Sequence, residues 1–285
     1  MIQRSTIQLL RVHFSFFLLP VYLFAISQVT SVNVLNAIMV FVVLHLLVYP
    51  ASNGYNSYMD RDETPIGGIK NPLQPTKQLF YATVIMDALA VILSLVINYV
   101  FAVGILLYIL ASRAYSYRGI RLKRYPIGGF ITVFIFQGAV IFYITYIAVS
   151  MNNNPTVPVL SCITSSLLLG ALYPLTQIYQ HEQDRKDGVI TISLMLGKKG
   201  TFIFSMLFFI AATLLMYIIF SRNNQLDAFV YFLLIMLPVV SFFLSWFSRV
   251  WKNEDAANFN NSYKMNVIAT ICTTIFFTVL LIQNH

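Results

Sequence analysis

The sequence predicts an all-α fold: a polytopic membrane helical bundle of about nine transmembrane helices in two parallel halves. Three observations predict it. The 285 residues are 58% hydrophobic and only 10% charged, where a soluble domain carries roughly 25% charged residues. The apolar residues gather in runs close to the 20 or so needed to cross a bilayer. The charges lie between these runs and favour alternate sides.

The first run, 9–29, is too long for a removable signal and lacks a small-residue cleavage site. The second covers 32–53. Residues 79–112 hold one charge, Asp87, in 34 positions, which is too long for one crossing. A tight turn near Asn98 divides them into spans at 78–97 and 99–115. Runs at 128–149, 157–179, 201–220, 228–247 and 265–282 complete the set, and 1–285 reads as one transmembrane domain. With a cytoplasmic N-terminus, the inner segments are 1–8, 54–77, 113–127, 180–200 and 248–264. They hold nearly every Lys and Arg, including Arg113, Arg118, Arg121, Lys123 and Arg124. Outer segments such as "SMNNNPTVPV" are almost uncharged, with Arg222 the exception. The net charge of +8 therefore reads as topology, and no nucleic-acid partner is implied. Cys162 and Cys272 fall inside predicted spans, so neither a disulfide framework nor a cysteine metal cluster is expected.

Two polar stretches share a pattern. "NSYMDRDE" (56–63) follows the second span and "QHEQDRKD" (180–187) follows the sixth. On a helix Asn56, Asp60 and Glu63 occupy one face, as do Gln180, Asp184 and Asp187. Four spans lie between the clusters, so both would open on the same side. Oxygen donors without His or Cys suit a hard cation such as Mg²⁺, which bridges one or two carboxylates to substrate phosphates. Nearby Arg61, Lys70, Lys123, Arg124 and Arg185 are then candidate phosphate clamps. Solvated loop charge is the plainer alternative for either cluster alone.

These stretches resemble the UbiA-type intramembrane prenyltransferases. "NSYMDRDE" is similar to that family's Asn-Asp-x-x-Asp-x3-Asp signature after the second helix. "YQHEQDRKDGVITISLMLG" is similar to the Asp-x3-Asp signature after the sixth, and "YSYRGIRLKRYPIGG" (115–129) to the basic loop between the fourth and fifth. Ser57, Thr64 and Gln180 stand where the signatures have Asp. Glu63 and Asp187 would then supply the missing carboxylates. The resemblance implies Mg²⁺-dependent transfer of a polyprenyl group from an allylic diphosphate to an aromatic or other lipophilic acceptor.

On this resemblance Asp60 and Asp184 are the catalytic pair. Asn56, Glu63, Gln180 and Asp187 join them as metal ligands, and Asn56, Arg61, Lys70, Tyr117, Lys123 and Arg185 as substrate contacts. The site would face the cytoplasm, as at a bacterial inner membrane, with the prenyl tail in an apolar groove open to the bilayer. The acceptor pocket is expected to be apolar. Arg11 is expected by default to snorkel to the interface, with facing the diphosphate pocket as its alternative, His45 to be a satisfied interhelical group, and His181 to be solvated or to act as a base. Asp87 suits either a helix–helix hydrogen bond or a functional acid. A transporter and a non-catalytic binding protein of the same family are the alternatives.

Overall fold

The computed structural model describes residues 2–152 and 154–285; Met1 and Asn153, which fall in two of the expected loops, lie outside them. Among the described residues nine helices are long and apolar enough to cross a bilayer. They are α1 (Arg4–Ser27), α2 (Val34–Asp60), α3 (Lys77–Ile97), α4 (Tyr99–Ser116), α5 (Pro126–Val149), α6 (Val159–Gln177), α7 (Ile192–Arg222), α8 (Leu226–Lys252) and α9 (Phe259–Asn284). The chain is a multi-pass integral membrane protein.

Local chemistry accounts for the punctuation. The division of the long apolar run falls at Asn98, whose side chain accepts from Phe101 N at 2.8 Å and so caps α4. Pro50 within α2 lacks a donor and crowds the carbonyl one turn earlier. The preceding π-helical stretch Val42–Val48 absorbs the mismatch. A second π-helical stretch, Phe134–Val140, contains Gly138, where a Cβ would stand 2.4 Å from Ser166 Cα. Only glycine permits this approach of α5 to α6, and Ser166 Oγ accepts from Ala139 N at 2.9 Å across the same contact. α7 starts well before its apolar run at 201, because it continues across a break at Gly197 (φ 70°) into the segment from Ile192.

Each span packs against the next in sequence, and α9 returns to α1, which closes a ring; α5 also packs across it against α1. At one end of the ring the α1–α2 and α5–α6 turns are joined by Asn33 N to Val149 O at 2.7 Å and Met151 N to Ser31 O at 3.0 Å. The ring is thus tied at the end opposite both acid clusters.

Two intramembrane polar residues are now placed. Asp87 on α3 forms an ion pair with Arg113 on α4, through Arg113 Nε at 2.9 Å and Nη2. The Arg113 guanidinium lies 3.8 Å from the Tyr55 ring centroid on α2. The acid is therefore a charged partner within a three-helix contact. His45 departs from expectation: neither ring nitrogen hydrogen-bonds to another helix. It is fully buried and stacks on Phe41 at 4.8 Å, beside Tyr22 and Tyr49. The imidazole packs as one more aromatic ring.

Candidate active site

The first acid cluster is built by the end of a helix. α2 runs through Asp60 and stops because Arg61 adopts a left-handed conformation (φ 56°). Asn56 and Asp60 share a face, and Asn56 Nδ2 donates to Asp60 Oδ2 at 2.6 Å. Glu63 does not continue that face, since the helix has ended; it is exposed, and Asp62 lines the cavity instead.

The second cluster is built differently. α6 ends at Gln177, and the acids stand on a separate one-turn helix, His181–Lys186. Asp184 N bonds to Gln180 O at 2.9 Å and Asp187 N to Gln183 O at 3.0 Å, so the helical spacing holds through Asp187. Gln180, Asp184 and Asp187 all line the cavity. Thr191 Oγ1 donates to Asp184 Oδ2 at 3.2 Å, and Gln180 Nε2 ties this cluster to Pro65 O at 3.3 Å.

The α4–α5 loop joins the two. Arg121, also left-handed (φ 49°), sets its Nη2 3.7 Å from Asp60 Oδ1 and 3.9 Å from Asp187 Oδ2. Its Nη1 donates to Asp187 O at 3.2 Å. Lys123 forms an ion pair with Asp60. Arg118 Nε to Met59 O at 2.8 Å and Ile190 N to Arg124 O at 3.2 Å stitch the same loops. A third left-handed arginine, Arg11 (φ 48°), interrupts α1. Its side chain is buried, with Nη2 donating to Asn53 O at 3.0 Å and Nη1 to Gly67 O at 3.4 Å. Arg11 therefore lines the cavity and does not snorkel, because the break in α1 turns it inward. A left-handed non-glycine residue costs roughly 1–2 kcal/mol, and two of these three aim cations at one cavity.

That cavity, about 240 Å³, is lined by Asn56, Asp60, Asp62, Gln180, Asp184 and Asp187, with Arg11, Arg121 and Lys123. Arg61, Glu63, Lys70, Tyr117, Arg124 and Arg185 lie outside its lining, and all are exposed. Sequence reasoning missed Asp62 because it extended the helix face past Asp60. It passed over Arg121 in favour of Lys123, though both sit in the same basic loop. Beneath the acids the wall is aromatic and hydroxyl-bearing. Tyr115 and Tyr173 share a hydroxyl–hydroxyl bond of 2.6 Å, Gln177 Nε2 donates to Tyr173 Oη at 2.8 Å, and Tyr49, Tyr108 and Gln137 lie further along the lining.

Burial dominates the titration of Asp184 and Asp62. It pushes the Asp184 carboxyl up to about 7; Asp60 and Asp62 add to this, while the Thr191 hydrogen bond and Lys123 oppose it. Burial also raises Asp62 to about 6, with Asp60 reinforcing the shift. His181 is lowered to about 4 by burial, bonds to Ser193 Oγ at 2.8 Å and does not line the cavity. It is a neutral structural group, so neither a solvated histidine nor a base facing the acceptor.

The donor set fits a hard divalent cation held jointly with a polyanionic ligand. All six candidate donors are oxygen-bearing, and Asp60 Oδ1 is buried without a hydrogen-bond partner. Among the described residues no three carboxylates gather into a cage of their own. Mg²⁺ behaves in this way, taking one or two carboxylates plus phosphate oxygens and water.

The model of the UbiA prenyltransferase family matches residues 14–268, so the chain belongs to the UbiA prenyltransferase family. No curated protein matches it in sequence. Solved structures share its fold. A UbiA homologue from Archaeoglobus fulgidus bound to DMAPP and Mg²⁺ is 16% identical, with a TM-score of 0.71 over 97% of this chain and 99% of the other. The same homologue bound to GPP and Mg²⁺ gives 16% and 0.70 over the same shares. A digeranylgeranylglyceryl phosphate synthase gives 18% and 0.62, over 99% and 98%.

Proposed function

We propose that this protein transfers a prenyl group from an allylic diphosphate to a lipophilic acceptor, with Mg²⁺, at the cytoplasmic face of the membrane. One observation carries the reading: the polar end of α2 and the short helix that follows α6 line a single cavity, and one guanidinium, Arg121, lies against an acid of each cluster. Family membership and the ligands of the fold neighbours support it. The basic loops gathered around the site support the cytoplasmic orientation.

Asn56, Asp60, Asp62, Gln180, Asp184 and Asp187 would hold Mg²⁺. When bound, the ion neutralises charge on the leaving diphosphate. Arg11, Arg121 and Lys123 grip its oxygens, which is electrostatic preorganisation aimed at charge that grows as the C–O bond breaks. The bonding electrons leave with the diphosphate and the allylic carbon becomes cationic. The Tyr115 and Tyr173 rings below the acids stabilise it, at about 0.5–2 kcal/mol per ring. The acceptor then bonds to that carbon and gives up a proton. No protein nucleophile takes part. Asp87, paired with Arg113, is accounted for by helix packing and lends no support to a transporter.

The test is diphosphate release and product mass from detergent-purified protein, given allylic diphosphates and an acceptor panel, with Mg²⁺ or with EDTA. Metal-dependent release that Asp60→Asn and Asp184→Asn each abolish is expected. Turnover that survives both changes removes the mechanism.

A further inference from the structure

The two acid clusters are held in place unequally. Asp60 ends α2, a membrane span. Asp184 lies within, and Asp187 just after, the helix His181–Lys186, which is six residues long and has no side-chain cap. So short a helix does not keep its shape unaided. Loops hold one side of it: Gln180 Nε2 donates to Pro65 O at 3.3 Å, and Arg121 Nη1 to Asp187 O at 3.2 Å. The first turn of α7 holds the other. Thr191 caps that turn by accepting from Leu194 N at 3.2 Å, while its hydroxyl donates to Asp184. Two residues on, Ser193 Oγ lies 2.8 Å from His181 Nε2.

The His181 contact begins a chain of buried side chains. Ser193 Oγ lies 3.0 Å from Thr201 Oγ1, which in turn lies 2.7 Å from Gly197 O and 3.2 Å from Ser193 O. His181, Ser193 and Thr201 are all buried. A carbonyl only accepts, so the one Thr201 proton points at the carbonyls and Thr201 accepts from Ser193. Ser193 has then committed its own proton, and it accepts from His181 Nε2–H. The order runs one way, from imidazole to serine to threonine to backbone. It also spans a bend. Gly197 has φ 70° and ψ 173°, a conformation essentially confined to glycine. A Cβ there would meet nothing within 4 Å, so the glycine serves the bend and not a close approach. Thr201, on the long arm of α7, holds Ser193 on the short arm.

We propose that His181 is a positioning residue for the second acid cluster. Through Ser193 and Thr201 it fixes the short helix to the long arm of α7, and so sets where Asp184 and Asp187 meet Mg²⁺ and diphosphate. This rests on the metal reading of the site given above. A ligand helix already held in place binds the cation without first having to be ordered. Groups that orient metal ligands from behind typically carry about 10- to 100-fold in metal affinity or activity. His181 stands where such a group must stand, beside the acids and outside the cavity lining.

The experiment measures binding of Mg²⁺ with inorganic pyrophosphate by calorimetry, alongside melting, on the full chain in detergent. His181→Phe combined with Ser193→Ala removes donor and acceptor together, which leaves neither of them buried and unpaired. Melting of this variant should stay close to the wild type, while its Mg²⁺–pyrophosphate affinity falls about 10- to 100-fold. His181→Gln keeps a donor near the place of Nε2 and should hold affinity within about three-fold, below the worth of one lost hydrogen bond. Thr201→Val keeps the shape but removes the far end of the chain, and should lower affinity about two- to ten-fold. Ser94→Ala deletes an equally buried hydroxyl bond on α3, Ser94 Oγ to Ala90 O at 2.6 Å, and should leave affinity unchanged. In turnover the double variant should need about ten-fold or more Mg²⁺ for half its full rate, and saturating Mg²⁺ should restore that rate. Unchanged affinity in the double variant or in Thr201→Val overturns the proposal. So does a loss that Ser94→Ala reproduces or that His181→Gln fails to avoid. The prenyltransferase reading fails separately. Wild-type protein that binds Mg²⁺–pyrophosphate but releases no diphosphate from any donor removes that reading, and the fall in affinity still upholds the role of His181. Wild-type protein that binds neither ion overturns both.

Discussion

At the end of α2, Asp60 is crowded by donors: Asn56 at 2.6 Å, Lys123 in an ion pair and Arg121 at 3.7 Å. At the foot of α6, Asp184 has one side-chain donor, Thr191 at 3.2 Å, and burial raises its carboxyl to about 7. The two acids hold equivalent places in one spacing pattern, and surroundings set them apart. Asp60 is a carboxylate already compensated by fixed cations. Asp184 is an acid that gains its compensation only when a cation arrives. The first cluster organises the site, and the second responds to what enters it.

Exchanging each acid for its amide should show the largest effect and test this contrast directly. Both Asp60→Asn and Asp184→Asn should lower kcat/KM by about 10²-fold or more, the scale of losing one preorganised electrostatic group. Asp60→Asn should also loosen the apo protein, because Lys123 and Arg121 lose their counter-charge in a partly buried setting. Asp184→Asn strands no cation and should leave thermal stability level or raised. Melting both variants in detergent without Mg²⁺ checks this, and equal losses of stability would erase the distinction.

Arg121→Gln comes next. It should cost about 10- to 100-fold in kcat/KM, or roughly 1.4–2.7 kcal/mol. If one guanidinium serves both clusters, double-mutant cycles with Asp60→Asn and Asp187→Asn should each give a coupling of about 0.5–3 kcal/mol. Additivity with Asp187 would confine Arg121 to the first cluster.

The pH dependence follows from the second cluster. A carboxyl raised to about 7 binds a metal poorly while protonated, so Mg²⁺–diphosphate affinity should rise from pH 6 to 8 with release of a proton. The sign for folding is opposite. The folded apo protein holds this proton more tightly than the unfolded chain, so its stability should fall as pH rises from about 4 towards 7. Calorimetry in buffers of different ionisation enthalpy measures the proton, and Asp184→Asn should reduce it. Thr191→Val removes the single donor to Asp184 and should shift turnover by only about two- to ten-fold, the worth of one hydrogen bond.

The bundle was legible because a bilayer demands long apolar runs and confines charge to their ends. Even the division at Asn98 followed from length, and the structure supplies its cap. The convergence of Asp60 with Asp184 was legible from matched spacing at equivalent helix ends. What spacing could not convey was where a helix stops. The left-handed turn at Arg61 removes Glu63 from the face and brings in Asp62, and the break at Arg11 sends a buried cation inward. Non-glycine residues reach that conformation at a cost that only the folded surroundings offset, so sequence alone favours an unbroken helix. The tyrosines beneath the acids belong to three different helices, and nothing local groups them.

The smallest expected effect sharpens the same contrast at its edge. Pattern alone assigns Glu63 and Asp187 equal roles, one turn beyond Asp60 and Asp184. The folded chain separates them, for helical spacing persists to Asp187 but ends before Glu63. Glu63→Gln should therefore leave kcat/KM within about two-fold and stability within about 0.5 kcal/mol, as for other exposed positions. Asp187→Asn should cost clearly more, since it removes one of the two acids beside Arg121. Arg61→Gly should retain activity and hold or raise stability by up to about 1 kcal/mol, because glycine takes the left-handed cap without strain. Equal sensitivity at Glu63 and Asp187 would mean that α2 extends past Asp60 once substrate is bound. The asymmetry between the clusters would then not persist on binding.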